Sequence, residues 1–281
     1  MSNSKGILYI VATPIGNLQD MTPRAVQVLT EVQLIAAEDT RHSAKLLQHF
    51  GIKTPCLALH EHNEREASAA LVQRLLAGDA IALISDAGTP LISDPGYHLV
   101  QAARAAGLRV VPIPGACALT SALSASGLPS DRFVFEGFLP ARAAARRARL
   151  EELQHEPRTL IFYESPHRIL ECLDDLAQVF GAERPAVIAR ELSKLFETIH
   201  DGSLSALCAW LRSDVNQQKG EFVILVRGSM LNEQGEEDSE AERVLRILMA
   251  ELPVKQAAAL AAQITGRKKN ALYELALQQK N

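Results

Sequence analysis

AIALISDAGTPLISDPGYHLVQAARAAGLRVVP, residues 80–112, decides how the first part of this chain folds. Residues 80–85 are a short apolar run that reads as a strand, and 96–106 form a helical stretch stopped by Gly107. Residues 109–112 are again strand-like, so the segment is a strand, a loop, a helix and a strand. The same rhythm extends upstream. Residues 6–12 (GILYIVA) read as a buried strand, and 22–32 as a helix with Thr22 as N-cap and Pro23 in its first turn. A strand at 34–37, a helix at 40–50 closed by Gly51, a strand at 56–59 and a helix at 61–77 stopped by Gly78 complete it. Strand–helix alternation of this kind predicts a mostly parallel sheet with helices on both faces.

Downstream of Pro114 and Gly115 the pattern changes. After a helix at 116–126, strands at 132–137, 159–163, 186–190, 197–201 and 221–227 lie closer together, with helices at 142–155, 168–180 and 204–211. A mixed sheet is expected there. The predicted organisation is an α/β domain over 1–115, a second α/β domain over 116–228, a polar acidic linker over 229–239 and a helical module over 240–281. That module divides into helices at 240–251, 254–265 and 268–279, punctuated by Pro253 and Gly266.

Composition agrees with a layered α/β protein: of 281 residues 47% are hydrophobic and only 5% aromatic. Cys56, Cys117, Cys172 and Cys208 form no C-x-x-C pair and show no metal-ligand spacing, so no metal is expected and they read as reduced thiols. No signal-peptide architecture and no membrane-length apolar run is present, and the expectation is a soluble cytoplasmic protein. The net charge of −4 argues against a broad nucleic-acid-coating surface but permits a local basic patch.

Four segments at predicted strand ends carry chemistry. Residues 13–22 (TPIGNLQDMT) follow the first strand, where open α/β sheets bind ligands. Neither G-x-G-x-x-G nor G-x-x-x-x-G-K-[ST] is present, which disfavours a dinucleotide site or a P-loop. Residues 37–41 (AEDTR) are either an acidic helix cap or a polar rim, in which Asp39 would accept a proton and Arg41 contact a phosphate. Residues 85–96 (SDAGTPLISDPG) pack two Asp, two Gly and two Pro into one constrained loop. Asp86 there is placed to accept hydrogen bonds from a ligand, whereas Asp94 also suits a helix cap. Residues 113–119 (IPGACAL) leave room, and free backbone N–H groups, at a helix start. HEHNE at 60–64 lacks the spacing of a zinc helix and reads as polar wall or helix cap.

Taken in order, VATPIGNLQDMT, AEDTR, SDAGTPLISDPG, PGACAL, FEGFLP, FYESPHRI and RELSKLFE resemble the tetrapyrrole-methylase-like (class III) methyltransferases. Within that superfamily they resemble the bacterial group that acts on 16S ribosomal RNA, over about residues 6–227, and the C-terminal module resembles that group's helix-turn-helix-like tail. The resemblance implies two α/β domains with S-adenosylmethionine in the cleft between them. It implies cofactor contacts at Pro14, Ile15, Asp86, Gly88, Thr89, Cys117, Ala118, Tyr163 and Glu221; Pro14 stands where a glycine is frequent. It also implies a homodimer and 2′-O-methylation of a 16S rRNA cytidine, in the decoding region. A tetrapyrrole or other small-molecule substrate, and a non-catalytic RNA-binding role, are the competing expectations. Asp39 is the expected base, with Glu38, Glu136 and Glu197 as rivals. RNA contacts are expected from Arg41, Arg142, Arg146, Arg147, Arg168, Arg190 and Lys194, and from Arg267, Lys268 and Lys269 in the C-terminal module.

Overall fold

The structure, a computed structural model, describes residues 5–229 and 233–278. Strands β1 (Ile7–Val11), β2 (Leu34–Ala37), β3 (Cys56–Ala58), β4 (Ile81–Ile84) and β5 (Arg109–Ile113) form a parallel sheet in the order β3-β2-β4-β1-β5. The helices between them are α1 (Pro23–Glu31), α2 (Thr40–His49), α3 (Glu64–Leu76) and α4 (Tyr97–Ala105). Both faces of the sheet are covered, one by a core around Val11, Leu29, Ile35 and Ile84, the other by Leu8, Leu71, Leu83 and Leu99. That is why β2 and β4 are uniformly apolar rather than alternating. The expected cap of α1 is present: the Thr22 hydroxyl accepts from the Ala25 N–H at 3.2 Å.

Helix α5 (Ala118–Ala125) leads into the second sheet, β6 (Phe133–Phe138), β7 (Thr159–Glu164), β8 (Pro185–Arg190), β9 (Thr198–Ser203) and β10 (Phe222–Val226), in the order β6-β7-β10-β8-β9. Only β6 and β7 pair in parallel; the other pairings are antiparallel, giving the expected mixed sheet. Side chains alternate across it. Ile161, Val187, Ala189, Val223 and Leu225 face α5, whereas Phe162, Ile188, Phe222 and Ile224 pack against α7 (Ile169–Phe180) and α8 (Leu204–Ser213). Helix α6 (Ala143–Leu153) adds Leu150 and Leu153 to that core.

Both sheets and their helices form one compact unit that ends at Arg227. They interlock at close approaches. A Cβ on Gly16, after β1, would lie 2.4 Å from Lys194 Cγ, and one on Gly137 in β6 would lie 2.9 Å from Ser93 Oγ. Residues from Gly228 onward, with His155–Pro157, form a second unit. It consists of α9 (Glu233–Glu251), α10 (Val254–Thr265) and α11 (Lys269–Gln278) around Leu245, Ala257, Ala258, Ala261, Leu272 and Ala276. The polar stretch expected as a linker is therefore helical from Glu233 onward, one helix continuing into the apolar seam that begins at Ala241. Gly266, at φ 73°, stops α10 in the left-handed conformation and turns the chain into α11. Among the described residues no helix is long and apolar enough to cross a membrane.

Candidate active site

Four parallel strands of the first sheet deliver their carboxyl ends to one cavity of about 460 Å³. Ile15 follows β1, Glu38 follows β2, Asp86 to Asp94 follow β4, and Cys117 and Ala118 follow β5. The second sheet supplies the opposite wall: Phe138 from β6, Tyr163 to Pro166 from the end of β7, Ala189 and Leu192 from around β8, and Glu221 to Val223 from the start of β10. Strand β10 runs antiparallel to β7 and β8, so its first residues meet their last ones.

The loop after β4 is held in a strained shape. Leu91 and Ser93 have φ of 72° and 69°, the left-handed region that side chains disfavour, and Gly88 has φ 83°. Thr13 and Gly88 exchange two backbone hydrogen bonds, at 2.8 and 3.0 Å, which ties this loop to the one after β1. The Thr89 hydroxyl donates to the Ala116 carbonyl at 3.0 Å. Buried Glu64 of α3 accepts from the Gly96 and His98 N–H groups, anchoring the loop's exit into α4.

Among the described residues no lysine, arginine or histidine lines the cavity, whereas five carboxylates do: Glu38, Asp86, Asp94, Glu164 and Glu221. Glu38 and Asp86 form a clasp across the ends of β2 and β4. The Asp86 N–H donates to Glu38 Oε2 at 3.2 Å and the Asp39 N–H to Asp86 Oδ1 at 3.1 Å. Burial, with help from the Asp86 charge, pushes the Glu38 carboxyl above its usual range despite that backbone donor. Burial also raises Asp94, to about 6, with the Glu38 and Asp86 charges adding to it and the Ser85 hydroxyl opposing it. Burial raises the Tyr163 phenol as well; its oxygen accepts from the Leu119 N–H at 3.0 Å and fixes the start of α5.

The raised Asp94 pKa has a consequence for stability. An unfolded aspartate titrates near 3.8, so above pH ~6 the folded state carries a charge it disfavours; that penalty disappears as pH falls through the folded pKa towards the unfolded one. Asp94→Asn is expected to stabilise the fold at pH 7 by about 1 kcal/mol, after discounting the shift for solvent screening, with the gain closing by about pH 4. Urea denaturation of both proteins at the two pH values measures it.

Of the residues expected to touch cofactor, Ile15, Asp86, Gly88, Thr89, Cys117, Ala118, Tyr163 and Glu221 line this cavity, while Pro14 sits just outside its wall. Asp39 does not line it. Its carboxylate caps α2, accepting from the Arg41 N–H at 2.8 Å, and pairs with the Arg41 guanidinium at 3.1 Å. Those contacts hold it down at about 2, which makes it a weak base. Two rivals are also engaged elsewhere: Glu136 takes a two-pronged hydrogen bond from Arg149, and Glu197 accepts from the Ser193 N–H.

The expected basic contacts divide sharply. Arg146 occupies the i, i+4, i+7 seam of α6 with Leu150 and Leu153; its side chain is 1% exposed and pairs with Asp175 at 2.7 Å. Arg190 is buried and donates to the Asn216, Lys219 and Phe196 carbonyls. Neither guanidinium is open to solvent, which corrects both expectations: their donors are taken up by acceptors within the fold. Arg168 pairs with Glu164 at 3.2 Å and Lys194 bridges Glu191 and Glu221, so both act as rim cations with charge already engaged. Arg41 is 91% exposed beyond its Asp39 pair. Arg142, Lys268 and Lys269 are exposed, Arg267 is half-buried, and half-exposed Arg147 reaches Asp175 at 3.2 Å.

Several cavity residues escaped the sequence. Phe138, Ser165, Ala189, Leu192, Phe222 and Val223 come from four strands or their ends and become neighbours only through sheet pairing. For Asp94 a signal existed, since a carboxylate two residues from a glycine in a doubly proline-braced loop is unusual, but helix capping accounts for it equally well in sequence.

Residues 7–208 match the family described as Tetrapyrrole (Corrin/Porphyrin) Methylases, and residues 235–280 match the RsmI C-terminal HTH domain. A Pseudomonas aeruginosa protein named Ribosomal RNA small subunit methyltransferase I is 65% identical over 277 residues, covering 98% of each chain. An Escherichia coli O157:H7 protein of the same name is 58% identical over 277 residues, covering 99% of this chain and 96% of that one. Among solved structures, the uroporphyrin-III C-methyl transferase from Thermus thermophilus complexed with S-adenosyl homocysteine shares the fold. It has a TM-score of 0.54 and 19% identity, over 78% of this chain and 97% of that one. With the family match spanning most of both sheets and the two relatives aligned almost end to end, this chain belongs to the tetrapyrrole (corrin/porphyrin) methylase family.

Proposed function

We propose that the protein transfers the methyl group of S-adenosylmethionine to the ribose 2′-hydroxyl of a cytidine in 16S ribosomal RNA, in the decoding region of the small subunit. Membership of the family makes it an S-adenosylmethionine-dependent methyltransferase. The observation that carries the RNA assignment is 65% identity over 98% of both chains to a relative named for that substrate.

The cavity suits the cofactor. When bound, S-adenosylmethionine supplies an electrophilic methyl carbon on a cationic sulfonium. Glu38 and Asp86, which no basic side chain neutralises, favour a ligand carrying sulfonium and ammonium charges. Ala87, Gly88, Ala118 and Ala189 leave space, and Ile15, Leu192 and Val223 supply apolar wall. The Thr13–Gly88 bridge and the strained loop hold these groups in place before any ligand arrives, and alignment of a hydroxyl with the methyl carbon provides much of the rate in such a displacement.

RNA phosphates, in this proposal, are met by Arg41, Arg142 and Arg147 of the first unit and by Arg267, Lys268 and Lys269 of the second. Reversing Arg142 and Arg147 together to glutamate is expected to lower the slope of log K against log salt by about 1–2. A filter-binding salt titration reads it, and an unchanged slope reassigns these side chains to plain surface. We further propose a cytoplasmic homodimer, supported by exposed apolar side chains such as Leu195 and Phe196, at 90% and 67% exposure, and checked by sedimentation.

The central test incubates purified protein and labelled S-adenosylmethionine with small subunits, naked 16S rRNA or a tetrapyrrole, then maps products by mass spectrometry. One cytidine 2′-O-methyl group in 16S rRNA is expected. Transfer to the tetrapyrrole alone, or no transfer with no cofactor binding, overturns the proposal.

A further inference from the structure

Six titratable groups share the cavity with Asp94, and the structure occupies each of them. Glu164 is paired with Arg168 at 3.2 Å and Glu221 with Lys194 at 3.0 Å. Glu38 and Asp86 are each held by a backbone N–H across the ends of β2 and β4. Tyr163 accepts the Leu119 N–H, and its raised phenol keeps its proton. Cys117 stands at the N-cap of α5, and its side chain lies within hydrogen-bond reach of the Tyr163 hydroxyl. Asp94 faces these groups with only the Ser85 hydroxyl beside its carboxylate.

The loop that presents Asp94 is the most strained in the first sheet. Two non-glycine residues with left-handed φ, Leu91 and Ser93, stand within three positions of it, and Ser93 is pressed against Gly137 of the β6 bulge. Such strain persists where surrounding contacts over-determine a geometry. Here the result is a carboxylate aimed into the cavity from the first sheet, opposite Tyr163 and Phe138 of the second.

We propose that Asp94 is the general base of methyl transfer, taking the proton of the substrate hydroxyl as its oxygen attacks the methyl carbon. This rests on the hydroxyl-methylation reading above. The hydroxyl oxygen forms its bond to the methyl carbon while the carbon–sulfur bond breaks, its electron pair remaining on sulfur. The proton moves to the Asp94 carboxylate and from there to water, leaving a methyl ether and the neutral thioether. A base titrating near 6 is ionised at neutral pH yet basic enough to assist, which a carboxylate held near 2 is not.

The experiment is single-turnover methyl transfer to small ribosomal subunits from pH 5 to 9, for wild type, Asp94→Asn and Asp94→Glu, with cofactor affinity measured by calorimetry. Wild type is expected to show a rate that rises through about pH 6 to a plateau. Asp94→Asn is expected to lose roughly 10²–10⁴-fold in rate and the rising limb, with cofactor affinity within about 3-fold of wild type. Asp94→Glu is expected to restore a rising limb at reduced rate. A retained limb in Asp94→Asn, or a rate loss matched by lost cofactor affinity, overturns the assignment to Asp94. A wild type that methylates no RNA overturns the function and the base together, so the two failures are told apart by the wild-type arm.

Discussion

Asp175→Ala is expected to destabilise the fold by about 3–5 kcal/mol. Asp175 lies on the buried face of α7, its side chain 9% exposed, and accepts from Arg146 at 2.7 Å and from Arg147 at 3.2 Å. Removing it strands the Arg146 guanidinium, 1% exposed, inside the Leu150, Leu153 and Leu173 core. What remains is Glu171 at 3.6 Å, itself 72% exposed, and the Ala141 carbonyl at 3.5 Å, both poor substitutes. An uncompensated buried charge is far more costly than a lost surface pair. Replacing both partners with apolar residues, Arg146→Met with Asp175→Leu, is expected to recover most of the loss, because an ion pair and a well-packed apolar pair are often close in energy. Urea denaturation of the two single variants and the double variant closes the cycle. The same geometry separates Arg146 from Arg142: reversing Arg146 would disturb RNA binding only by unfolding the protein.

Gly88→Val is expected to weaken S-adenosylmethionine binding by about 100-fold or more. Gly88 has φ +83°, and its missing Cβ would lie 3.3 Å from Ile15 Cγ2, inside the cavity wall. A left-handed conformation costs a side-chain-bearing residue on the order of 1–2 kcal/mol, more for a β-branched one, and about 1.4 kcal/mol is tenfold in affinity. Relief by rotating the backbone would break the reciprocal Thr13–Gly88 bridge and move the loop that carries Asp86 and Thr89. Gly51→Val is the control. It has φ +67° but nothing within 4 Å of its Cβ position, and Gly51 lies away from the cavity. Both variants should lose some stability by thermal melting, but only Gly88→Val should lose cofactor by calorimetry. Equal losses of affinity would dissociate Gly88 from the cofactor site.

Much of this was legible in the residues. Uniformly apolar four-residue runs such as LIAA and IALI announce strands buried on both faces, and Thr22-Pro23, Gly51, Gly107 and Gly266 punctuate helices through capping chemistry that acts within a turn. The loop after β4 could be singled out because prolines and glycines constrain the backbone locally, whatever the rest of the chain does. The polar stretch 229–239 reads as a linker in sequence, yet most of it belongs to α9. Glutamate and glutamine are good helix formers that offset the cost of about 1 kcal/mol at Gly235, and one continuous helix runs from Glu233 into the apolar seam beginning at Ala241.

The roles of charged residues lay beyond the sequence. AEDTR offered two adjacent carboxylates, and only the clasp between β2 and β4 turned Glu38 into the cavity and Asp39 onto the α2 cap. The arginines of 142–149 held one buried structural cation, Arg146, one salt-locked partner of Glu136, Arg149, and two candidates for RNA, exposed Arg142 and half-exposed Arg147, identical in sequence chemistry. The sequence by itself determined the strands, the helices, the parallel-then-mixed order and the loop that forms the cavity wall, because propensity, capping and backbone constraint act over a few residues. Which cavity carboxylate has neither an ion pair nor a backbone donor, and which guanidinium meets solvent, follow only from the tertiary structure, because burial and ion pairing join residues tens of positions apart.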